Sequence, residues 1–112
     1  MKSILILTVT MAVITAEDTF SIVAVDPESQ EIGSAGASCI GGSIVISDVH
    51  PEVGGIHTQA YWLSGNQNNA HDLMVDGLSP EQIIVWLEAH DVQNNPTIRQ
   101  YGVVDLVDGG RS

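Results

Sequence analysis

Between Ile32 and Cys39 the chain places six small residues in a row, Gly33-Ser34-Ala35-Gly36-Ala37-Ser38. The run follows Thr19 to Val25 (TFSIVAV), which is rich in β-branched and aromatic residues, and the polar stretch Asp26-Pro27-Glu28-Ser29-Gln30-Glu31. That order reads as strand, turn, strand: Pro27 fixes φ, and the short polar side chains bond local backbone. A strand of small residues is weakened unless another backbone or a ligand comes close. Two arrangements meet that need, a second sheet pressed against it or a ligand held over it. The TFSIVAV strand is apolar on both faces and is expected to be buried on both sides.

Further along, Ile40 to Ser43 reads as loop, Ile44 to Ser47 as a short strand or turn, and Asp48 to Glu52, with Pro51, as loop. Gly54 to Leu63 (GGIHTQAYWL) is a strand candidate. Its alternation sends Ile56, Thr58, Ala60 and Trp62 to one face and His57, Gln59 and Tyr61 to the other, the second set suiting a cleft or a half-solvated sheet. Ser64 to Asn69 is a polar loop or helix start, and Ala70 to Asp76 a helix stopped by Gly77. Leu78-Ser79-Pro80-Glu81-Gln82-Ile83 is a strong helix start: Ser79 as N-cap, Pro80 in the first turn, Gln82 completing a capping box. That helix runs to about His90. Asp91 to Pro96 is loop, Ile98 to Val107 a strand, and Asp108-Gly109-Gly110 a hairpin turn. A further strand is expected after that turn. The chain therefore reads as the N-terminal portion of a longer domain, marginal or aggregation-prone alone, with association through open sheet edges.

The front of the chain speaks to compartment. Met1-Lys2-Ser3 is basic and Ile4 to Ala16 carries no charge, the pattern of a secretory signal peptide over residues 1–16. The run is shorter than the roughly 20 apolar residues of a spanning helix. A secreted or periplasmic protein follows, with residues 17–112 as one domain and no stable membrane insertion after cleavage. Removing sixteen residues from 112 leaves 96. Lys2 goes while all 14 acidic residues stay, so the formal charge moves from −11 to −12. Two arginines cannot build a phosphate-binding surface, which argues against nucleic acid as a partner. One cysteine, Cys39, excludes an intrachain disulfide, so the fold rests on its core.

Several side chains bear on chemistry. The histidines at 50, 57, 71 and 90 lack metal-ligand spacing and read as surface residues, so no metal or cofactor is expected. Asp105 and Asp108 read as a solvated turn. Cys39 either pairs with His57 as an activated thiol or is a buried, inert cysteine. Thr19 is an ordinary strand residue while it is internal. At a free N-terminus its α-amine, with a pKa of about 7.7–8.0, can serve as the base for its own hydroxyl.

TFSIVAVDPESQEIGSAGASC, VGGIHTQAYW, DLMVDGLSPEQII and RQYGVVD occur in one order across nearly all of Thr19 to Gly110. Together they resemble the uncharacterised family numbered 1028 among domains of unknown function. The resemblance implies an α+β fold of the N-terminal-nucleophile (Ntn) hydrolase type, an αββα sandwich of antiparallel sheets, here incomplete at its C-terminal end. It implies Thr19 as the catalytic nucleophile, with Ser38 and Gln59 shaping a cleft for a small-molecule or peptide-like substrate. Glu17-Asp18 departs from the family pattern by standing between the cleavage site and Thr19. Amide hydrolysis by Thr19 is one expectation. A non-catalytic binding module on the same fold, for a cell-wall or small-molecule ligand, is the other.

Overall fold

Hydrogen bonds from Asp26 shape the first hairpin. In the computed structural model, which describes residues 19–112, its Oδ1 accepts from the backbone N–H groups of Glu28, at 3.0 Å, and Ser29, at 3.4 Å. The Glu28 bond, more than those of Ser29, holds the exposed carboxyl below its ordinary pKa. The turn joins β1 (Thr19–Asp26) to β2 (Glu31–Ser38), paired antiparallel from Thr19↔Ser38 to Asp26↔Glu31. Residues 1–18 lie outside the described residues, and with them the signal peptide, its cleavage after Ala16 and Glu17-Asp18.

A second antiparallel sheet has the order β3-β4-β5. Its strands are β3 (Ser47–His50), β4 (Gly54–Gln59) and β5 (Gln100–Asp105). Ser47–His50 forms a strand although Pro51 suggested loop; the proline falls in the turn after it, where its missing N–H costs nothing. The two sheets pack face to face. A Cβ on Gly55 would come 2.6 Å from Val23 Cγ2 and 3.3 Å from Ile32 Cγ2, so β4 needs glycine there. The close sheet-on-sheet contact is marked by Gly55 of β4; on β2, Gly33 to Ala37 are exposed, and a Cβ on Gly36 would meet its own partner strand β1 and Ile46.

The helices α1 (Ser64–Val75) and α2 (Pro80–Ala89) cover the other face of the three-stranded sheet. Ile56 and Val103 from the sheet meet Ala70 and Met74 of α1 and Ile83 and Leu87 of α2 in the core. Full burial of each large aliphatic side chain stabilises by about 1.5–3 kcal/mol. The capping box of α2 forms as read: Gln82 N–H donates to Ser79 Oγ, and Ser79 N–H to Gln82 Oε1. Gly77, at φ 90°, ends α1. The α1 helix starts at Ser64, six residues before its apolar signal, because Asn66 and Gln67 are buried and hydrogen-bonded rather than exposed in a loop.

The molecule is thus an α+β sandwich of two antiparallel sheets with two helices. The expected burial of β1 on both faces is corrected. Thr19, Ser21, Val23 and Val25 turn toward the second sheet, while Phe20 is 72% and Ile22 58% exposed. The second sheet covers only one side of the hairpin. Asp105 is corrected too: it is buried and paired with Arg111 at 2.6 Å, where the returning chain bridges back to β5. Among the described residues no helix is long and apolar enough to cross a membrane.

Candidate functional site

Period-two alternation puts a row of hydroxyls between the sheets. On β1 the inward residues are Thr19, Ser21, Val23 and Val25; opposite them on β2 stand Ser38, Gly36, Ser34 and Ile32. From β4, Gly55, His57 and Gln59 point into the same layer. One end, around Val25, Ile32 and Gly55, is apolar. The other end is lined by side chains that carry chemistry.

At this other end Thr19 Oγ1 and Ser38 Oγ are 3.0 Å apart. One row deeper, Ser21 Oγ donates to Gln59 Oε1 at 2.6 Å, and Gln59 Nε2 donates to Gln100 Oε1 at 3.0 Å. Two rows along β2 from Ser38, Ser34 Oγ lies 2.6 Å from His57 Nε2 and 2.7 Å from Ser47 Oγ. His57 is only 3% exposed, and burial pushes its pKa below the ordinary histidine value. The ring is therefore neutral near pH 7. Its Nδ1 has no hydrogen-bond partner among the described residues.

Two depressions meet this layer. A groove of about 860 Å³ is lined by Ser21, His57, Gln59 and Gln100 on one side and by Ile84 and Val85 of α2 on another. A recess of about 340 Å³ is lined by Ser34, Ser43, Ser47 and His57, with Ile44 and Ile46 as its apolar wall. His57 borders both.

A buried ionic hub holds the rim. Asp91 accepts from Arg99 Nε at 3.0 Å, from the N–H groups of Gln93 and Asn95, and from Asn66 Nδ2. The Arg99 guanidinium, ahead of the other donors, holds the Asp91 carboxyl far below the usual carboxylate range. Arg99 Nη1 also donates to the carbonyl of Tyr61. Tyr61 and Ala60 both have positive φ, at 63° and 54°, a conformation costly for residues with a Cβ. Arg99 therefore fixes the turn that ends β4 at Gln59 and immediately precedes Gln100, its register partner on β5.

The structure joins Thr19 and Ser38 directly and places Gln59 in the same layer, bonded to Ser21 and Gln100. Ser21, Ser34 and Gln100 were not singled out from sequence, although alternation from Thr19 and Ser38 reaches the two serines. His57 belongs to the interior, which corrects its reading as a surface histidine. Its Nε2 faces Ser34 rather than a thiol, and Cys39 is exposed, so neither reading of Cys39, buried or paired with His57, stands. His71 pairs with Asp48 at 2.7 Å, its ring 5.2 Å from that of His50.

A family model described as "Family of unknown function (DUF1028)" matches residues 19–111. No curated protein and no solved structure matches the chain.

Proposed function

Because the chain belongs to the family of unknown function DUF1028, whose match begins at Thr19, we propose that it is an Ntn-type hydrolase of amide bonds with Thr19 as nucleophile. The observation that carries this reading is the position of Thr19: side chain turned inward from β1, hydroxyl 3.0 Å from Ser38 at one end of a hydroxyl-lined layer. Processing that makes Thr19 the N-terminus frees its α-amine beside that hydroxyl. The amine then takes the hydroxyl proton as Oγ1 attacks the substrate carbonyl. The ammonium so formed hands the proton to the departing amine, leaving an acyl ester on Thr19. Water, deprotonated by the same amine, releases the acid and restores the enzyme. Ser38 Oγ holds the Thr19 hydroxyl in place, and Ser21, Gln59 and Gln100 offer donors and acceptors to the substrate.

The basic start and the uncharged Ile4 to Ala16 run support a secreted or periplasmic location; cleavage after Ala16 leaves Glu17-Asp18 in front of Thr19, so the mechanism requires a second cut between Asp18 and Thr19. A chain beginning at Thr19 keeps 12 of the 14 acidic residues against Arg99 and Arg111, a formal charge of −10 that favours neutral or cationic substrates.

The test uses protein beginning at Thr19 and a panel of small acyl amides. Hydrolysis is expected, falling to background in Thr19→Ala and retained in part in Thr19→Ser. Activity unchanged by Thr19→Ala contradicts the mechanism. The second reading, ligand binding without catalysis, is favoured by the groove of about 860 Å³ with its Gln59–Gln100 amides. It predicts saturable ligand binding, weakened by Gln100→Ala, in a protein inert toward every amide.

A further inference from the structure

We propose that Ser34 and His57 form a second nucleophile–base pair, which cleaves small neutral esters in the recess between β2 and Ser43–Ser47. The pair does not depend on the Thr19 reading. It lies two rows along β2 from Ser38 and opens on a recess whose lining includes neither Thr19 nor Ser38.

Geometry is the first support. Ser34 Oγ is 2.6 Å from His57 Nε2, within the reach of a general base to its nucleophile. Ser34 is exposed and lines the recess, so its hydroxyl can meet a substrate, while the imidazole behind it is buried. Ser47 Oγ, at 2.7 Å, can donate to Ser34 Oγ and leave the Ser34 proton directed at the ring. The same arrangement requires the ring proton on Nδ1. Burial keeps the imidazole unprotonated at neutral pH, as a base must be.

Chemistry then narrows the substrate. As Ser34 Oγ bonds to the carbonyl carbon, its proton moves to Nε2 and the carbonyl π electrons move to oxygen. Collapse of the adduct expels the alcohol, which takes the proton from Nε2. Water, giving a proton to Nε2, attacks the acyl-serine and releases the acid, and Ser34 recovers that proton. The imidazolium formed on the way is less stabilised than in a triad, because no carboxylate accepts from Nδ1 among the described residues. An ester, with its better leaving group, suits this weaker pair; an amide does not. A recess of about 340 Å³ walled by Ile44 and Ile46 suits a short acyl group, and the acidic chain disfavours an anionic one.

The test treats the full chain with a fluorophosphonate, which transfers phosphorus to the activated serine with loss of fluoride, and maps the adduct by peptide mass. One adduct on Ser34 is expected, forming about a hundredfold more slowly in His57→Gln. Release of p-nitrophenol from p-nitrophenyl acetate is expected to fall to background in Ser34→Ala. No adduct, an adduct on Ser43, Ser47 or Thr19 in place of Ser34, or an unchanged rate in His57→Gln overturns the proposal. If His57→Gln does not fold, the pH profile of Ser34 labelling in the native chain decides. The expected profile rises through a single ionisation below the usual histidine value of about 6.5 and is then flat. A rate that keeps climbing above neutrality, as hydroxide attack does, overturns it.

Discussion

The three-stranded sheet has two faces that do different work. Toward the helices, Ile56 and Val103 close on Ala70, Met74, Ile83 and Leu87 in an apolar layer. Toward the hairpin, the same strand β4 presents Gly55, His57 and Gln59 to a layer rich in serine and threonine hydroxyls. Both layers exclude solvent from β4, yet only the second places nucleophile-type groups within hydrogen-bonding reach of one another. The helix-facing layer holds the fold, while the sheet-facing layer gives up hydrophobic burial for hydroxyl, imidazole and amide groups.

Leu87→Ala is the largest expected blow to that division. Leu87 is 1% exposed, and its truncation is expected to cost about 2–5 kcal/mol in denaturant unfolding. A loss no larger than that of an inter-sheet serine would break the comparison. Next comes Gly55→Ala, which drives a Cβ to 2.6 Å from Val23 Cγ2 and should cost about 1–3 kcal/mol by forcing the sheets apart. Ser21→Ala removes one hydrogen bond to Gln59 and is expected to cost only about 0.5–1.5 kcal/mol in the same assay, with a larger effect on substrate turnover.

The smallest expected effect is electrostatic. The pKa of His57 is lowered in the folded state, so the unfolded chain binds the extra proton first as pH falls. Its contribution is therefore fully present above the unfolded value of about 6.5 and is lost as pH drops below it. Unfolding midpoints at pH 7.5 and 5.5 measure this, and His57→Gln should flatten the difference. An equal pH dependence in that variant would show that other groups carry it.

Legibility followed locality. The α2 start could be read because Ser79, Pro80 and Gln82 satisfy one another within a single turn. The β1–β2 hairpin could be read for the same reason, Asp26 bonding residues two and three positions ahead. By contrast, α1 begins in Ser64-Gly65-Asn66, poor helix formers, and the buried side chains of Asn66 and Gln67 find partners 5 to 35 residues away, in Trp62, Asp91 and Tyr101. No local pattern records such partners. The burial of Asp91 and Asp105 is equally invisible without Arg99 and Arg111 folded onto them. For the site, alternation along β4 was enough to put His57 and Gln59 on one face, whereas β1 was read as buried on both sides and its inward row of Thr19 and Ser21 emerges only from the packed sheets. That Ser34 rather than Cys39 meets His57 depends on how one sheet is shifted over the other, which only the packed structure sets.

In the proposed function Thr19 becomes a nucleophile whose base is its own amine. The most direct test is the intact mass of the mature protein with its N-terminal residue identified. The expected mature chain begins at Thr19, with the free amine beside the hydroxyl. A mature chain that begins at Glu17 would leave the nitrogen of Thr19 in an amide bond, without basicity, and would contradict it.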